Sequence, residues 1–166
     1  MATFEMRPTV GRLARAGAVF FALWGVLHAV VGLTGTLGYL RGGPSGVLTA
    51  FGGAVASTQP NAELALAGHV ALDFSMGLAI FGALAIWAAV MIWRGQHMGF
   101  WLGAVILGAV DAAFILALVL PGYVTGVDAA SGPVLYVLGV VFSAAGLFGR
   151  RVHDTAPMAR ASEVRP

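Results

Sequence analysis

The chain is 166 residues long, 59% hydrophobic and only 10% charged, with a mean hydropathy of +0.90. Soluble domains carry about 25% charged residues, so this composition has too little polar surface to coat a water-soluble globule. Its formal charge of +2 comes from nine basic residues, all arginine, against seven acidic ones, and their gathering toward the chain ends reads as membrane topology rather than a nucleic-acid footprint. With no cysteine, disulfides, thiolate metal sites, iron–sulfur clusters and cysteine nucleophiles are excluded together.

Residues 1–15, carrying Arg7, Arg12 and Arg15, form a short segment ahead of the first apolar block. That block, about 16–37 (AGAVFFALWGVLHAVVGLTGTL), gives about 33 Å of helix, enough to span a bilayer. It is longer than the apolar core of a signal peptide and lacks a small-residue cleavage site, which predicts a retained transmembrane helix. The next stretch, 41–63, is rich in Gly, Ser, Thr and Pro and contains GVLTAFGGAVAS at 46–57. Too short to span, this stretch suits either an interfacial or re-entrant segment or an ordinary surface loop. The second block, about 64–93, is longer than the hydrocarbon layer is thick, predicting a tilted or projecting helix. The third, about 99–120, ends at Pro121-Gly122, a pair that stops helices. The fourth, about 133–148, is the shortest and is closed by Arg150 and Arg151; the remainder, 150–166, becomes a Pro/Ala/Ser/Arg tail predicted to be disordered.

The predicted fold is all-α: an integral membrane four-helix bundle forming a single domain over 16–149. The tight connection at 94–98 makes the second and third spans antiparallel neighbours. Placing the N-terminus in the cytoplasm keeps Arg7, Arg12, Arg15, Arg94, Arg150, Arg151, Arg160 and Arg165 inside and leaves only Arg41 outside, so both termini are predicted cytoplasmic in a cell-membrane protein. Trp93 and Trp101 flank the tight loop as an aromatic belt, and Tyr39, Tyr123 and Tyr136 lie partly toward span ends. Small-residue repeats, among them Gly99-x-x-x-Gly103, Ala104-x-x-x-Gly108 and Gly139-x-x-x-Ser143, favour close helix packing, within the chain or with a partner.

Four ionisable residues fall inside the apolar blocks: His28, His69, Asp73 and Asp111. A carboxylate at the bilayer centre costs about 2.5–3.5 kcal/mol on insertion scales, so such groups face the bundle interior, find partners and mark candidate ligand- or proton-binding sites. His28 and Asp111 each lie about 18 Å from the inner boundary and can meet at mid-membrane. There they serve either as a packing hydrogen bond or as a binding couple. His69 and Asp73, four residues apart on one helix face, belong to the outer half, where they can hydrogen-bond each other. The alternative is a His in the headgroup layer with Asp73 anchored to it or to water.

Two His and two Asp are chemically suited to zinc, iron or copper, and His28 with His69 or Met76 to haem. The depth offset of about 10 Å between the two pairs works against one shared centre. No metal or catalytic residue is therefore assigned, and the cofactor is left open. No phosphate-binding glycine loop, nucleophile elbow or His-Glu-x-x-His pair is present.

The segment RLARAGAVFFALWGVLH, from Arg12 to His28, resembles the first helix of small bacterial four-helix membrane proteins of the DoxX-like kind, in which an Arg precedes a Gly/Phe-rich span. The resemblance covers about one tenth of the chain and carries over no residue roles. The leading expectation is a non-catalytic protein, either an accessory subunit of a membrane complex or a binder of a small hydrophobic ligand in the bundle interior. The partners expected are the lipid bilayer and other membrane subunits or further copies of the chain, with no nucleic acid. The alternatives are a membrane redox, metal, haem or quinone-binding enzyme subunit, or proton-coupled transport by an oligomer.

Overall fold

The computed structural model describes residues 11–51 and 62–149; residues 1–10, the 52–57 part of the apolar stretch and the 150–166 tail lie outside the described residues. Four helices are long and apolar enough to cross a membrane: α1 (Arg12–Ala50), α2 (Ala62–Trp93), α3 (His97–Val119) and α4 (Gly126–Phe148). The chain packs as two compact units. A continuous unit holds Ala22–Ile86, and a split unit joins the start of α1, as far as Phe21, to the chain from Trp87 onward.

Helix α1 does not stop near residue 37. It continues to a break at Gly43, whose φ of 59° and ψ of −148° are non-helical, and then resumes through Pro44 to Ala50. A positive φ is cheap only without a Cβ, and Pro44 holds its own φ ready for a new helix start, so the Gly-Pro pair reverses the chain. In a straight helix Gly38 and Gly46 would lie about 12 Å apart. Instead, a Cβ on Gly38 would come within 2.7 Å of the Gly46 carbonyl. The returning arm runs back along α1 and against α2: Val47 is fully buried, Gly68 packs on Pro44 and Gly35 on the Phe51 ring, and Phe51 meets Phe74 with ring centroids 6.2 Å apart. The first part of the 46–57 stretch is thus the returning arm of a helical hairpin packed within the continuous unit.

The remaining boundaries have local causes. At the end of α2, Gly95 (φ 77°) ends the helix with paired bonds, Gly95 N–H to the Ile92 carbonyl at 2.8 Å and Gln96 N–H to the Met91 carbonyl at 2.9 Å. This double cap satisfies carbonyls that the helix itself leaves open. The end of α3 repeats it, with Gly122 N–H on Val119 and Tyr123 N–H on Leu118, both at 2.9 Å. Helix α4 begins at Gly126, ahead of the expected start at Pro133, which lies inside the helix. Proline suits a first turn, but membrane helices also tolerate it internally where neighbours re-satisfy the freed carbonyl.

Packing within each unit runs on small residues. Between lipid-immersed helices there is no hydrophobic driving force, so close backbone approach supplies the attraction. In the continuous unit, a Cβ on Gly25 or on Gly82 would each lie 2.6 Å from backbone atoms of the facing helix, and Gly32 abuts Ser75 and Ala79. In the split unit, Gly17 abuts Ser143, Gly146 abuts Ala14, and the buried Phe21 ring fits against Gly103 and Gly139. Large apolar side chains such as Val30, Leu33, Leu66, Ile80 and Val141 point outward instead.

Replacing Gly82 with Leu is expected to lower unfolding stability by about 1–3 kcal/mol, the usual effect of overpacking, read in a denaturant titration of the detergent-solubilised chain. Gly77→Ala, where a Cβ meets nothing within 4 Å, is expected to leave stability unchanged or slightly raised.

Candidate functional site

The polar side chains within the apolar helices fall into three places. In the split unit, Asp111 sits on α3 and is only 3% exposed. The α-helical stretch that carries it, Gly108–Phe114, is flanked by two π-helical stretches, Leu102–Leu107 and Ile115–Val119. Wide π-turns are rare and concentrate at functional sites. They also leave backbone carbonyls without their usual partner, and here the Tyr136 hydroxyl of α4 donates to the Ala104 carbonyl at 2.6 Å. Gly108 makes room for that hydroxyl, since a Cβ there would overlap it. Asp111 lies three residues beyond Gly108 on the same face of α3, so the buried carboxyl and Tyr136 belong to one polar locus between α3 and α4.

In the continuous unit, His28 stacks on Trp24 with ring centroids 3.6 Å apart, and Trp24 is fully buried. The His28 Nδ1–H donates to the Trp24 carbonyl at 2.9 Å, which makes Nε2 the acceptor nitrogen of the neutral ring. His28 thus lies in one unit and Asp111 in the other.

The outer pair is arranged differently from a simple four-residue couple. His69 donates from Nδ1 to the Ala65 carbonyl at 2.6 Å, and its Nε2 accepts the Tyr39 hydroxyl at 3.0 Å. With both ring nitrogens engaged, His69 is bridged to α1. Among the described residues no hydrogen bond or ion pair joins it to Asp73. Asp73, on α2, is exposed, whereas Asp111 is buried.

Two residues of these loci were not among the sequence candidates. Tyr136 and Tyr39 were read as belt aromatics, yet each donates its hydroxyl across to another helix, over 32 and 30 residues of sequence respectively. Among the described residues no three His, Asp or Glu come together as a metal-holding group. The serine of the Gly139-x-x-x-Ser143 repeat is fully buried, and its Oγ has no hydrogen-bond partner among the described residues. It serves there as a small residue facing Gly17.

No protein-family model, curated protein or solved structure matches this chain.

Tyr136→Phe is expected to destabilise the chain by about 1–3 kcal/mol, because a part-buried carbonyl loses its donor. Ser143→Ala is expected to be neutral or stabilising, since it removes a hydroxyl that has been desolvated without a partner. Unfolding titrations of the two variants in the same detergent check both.

Proposed function

We propose that this chain is a small multi-pass protein of the cell membrane that acts as a non-catalytic accessory subunit, docking on a partner within the bilayer. The observation that carries this reading is Asp73. It is exposed on α2 between outward-facing apolar residues on both sides, Leu66 and Val70 before it and Met76 and Ile80 after it. The apolar belt therefore extends past it in both directions, and acyl chains are a poor cover for a carboxylate. A partner helix offering a hydrogen-bond donor or a cation supplies the missing cover. The arginine distribution supports cytoplasmic termini, with Arg12, Arg15 and Arg94 at the inner end and Arg41 at the outer end.

A second reading rests on Asp111. A buried carboxyl, a neighbouring tyrosine and two flanking π-turns are the kind of setting that binds a proton or the polar head of a hydrophobic ligand such as a quinone.

With a photoreactive side chain at Met76 or Ile80 in native membranes, the accessory reading expects a discrete protein adduct. Asp73→Ala should shrink the complex isolated in mild detergent. Adducts to lipid alone, with no change in complex size, would overturn that reading. Absorption spectra and metal analysis of the purified chain test the redox form of the second reading. A Soret band or stoichiometric metal would displace the accessory subunit as the leading function, and Asp111→Asn should then alter binding while preserving insertion.

A further inference from the structure

The ends of the helices in the split unit carry a second chemistry that the docking reading leaves untouched. Arg12 and Arg15, three residues apart, share one face at the start of α1. Arg94 follows directly on Trp93 at the end of α2. All three arginines are exposed, and none forms an ion pair with a carboxylate among the described residues. The described carboxylates lie elsewhere, with Glu63 at the far end of α2 and Asp128 at the far end of α4. Arg15 is held in place without using its donors: its guanidinium sits over the Trp93 ring, 5.4 Å from the centroid. Such a contact uses the flat face of the cation and leaves its five N–H groups available.

We propose that Arg12, Arg15 and Arg94 together bind the phosphate of an anionic phospholipid headgroup. The surroundings favour a lipid over a free anion. Trp93 and Trp101 are about half exposed, as are the adjoining Leu13 and Val90, so the cations border an apolar shelf on which acyl chains can lie. Indole rings settle at headgroup depth, which brings the Arg15 guanidinium to the level of the phosphates. Three cations that no described carboxylate pairs favour a headgroup with net negative charge over a zwitterionic one, whose ammonium they repel. Each arginine near an anionic surface contributes about fivefold in affinity.

The test uses the full-length chain in a neutral detergent, titrated separately with phosphatidylglycerol, phosphatidylcholine and inorganic phosphate, with the thermal midpoint and lipid retention in native mass spectrometry as readouts. Phosphatidylglycerol is expected to raise the midpoint and to be retained, with both effects declining as salt rises. The Arg15→Gln/Arg94→Gln pair is expected to lose about 25-fold in affinity, while Arg41→Gln binds as the unaltered chain does. An equal response to phosphatidylcholine, an equal response to inorganic phosphate, or unchanged affinity in the double variant would overturn the proposal. Should the double variant not fold, the headgroup selectivity and salt dependence of the unaltered chain decide alone.

Discussion

Among acyl chains there is no water to pair with a backbone N–H or C=O, so every such group must be satisfied from within the protein. This constraint explains the helices and much of the polar chemistry on them. Ser75 donates back to the Ala71 carbonyl at 2.6 Å, and Thr36 to the Gly32 carbonyl at 2.9 Å. His28 and His69 each commit Nδ1–H to the carbonyl four residues earlier. Where α3 widens into a π-turn, the Tyr136 hydroxyl serves the Ala104 carbonyl. Polar side chains in these helices are first of all servants of the backbone, and what they offer a ligand is what remains after that duty.

The same solvent removes the usual reason for apolar side chains to gather inside. Leucine is as comfortable against a lipid tail as against another leucine, and small residues decide which helix faces meet. Hence a glycine-lined seam joins α1 to α2 through Gly25, Gly32 and Gly82, another places Gly17 against Ser143, and the bulky side chains are turned out. Phe21, Trp24, Val47, Ile92 and Leu107 are exceptions, fully buried; Phe21 fits against the glycines at 103 and 139.

The four apolar helices were legible because length and hydropathy alone announce a span. The ends at Trp93 and near Leu120 were legible too, since the apolar block gives way at Arg94 and Pro121-Gly122 is a strong local stop signal. Pro133 misled for the opposite reason: a signal that marks a helix start in water is only a tolerated interruption in a membrane. Spacing put His69 and Asp73 on one face, but it could not reveal Tyr39, thirty residues away, as the acceptor nitrogen's partner. Tyr136 was equally hidden, because an aromatic near a span end looks the same whether its hydroxyl meets headgroups or a carbonyl on α3. The small-residue repeats were visible as patterns, yet in a chain with 24 glycines only the packing tells which of them form seams.

The reversal at Gly43 bears on how many candidate spans the apolar runs yield. A segment that doubles back along the helix it leaves adds no length to the span, so the returning arm thickens the continuous unit instead. Four helices among the described residues are long and apolar enough to cross a membrane, and the arm that follows Gly43 is not a further one. A glycine that can take φ 59° followed by proline thus sets more than a bend: it folds the residues after it back along the helix they leave, so that one long apolar run yields a single candidate span.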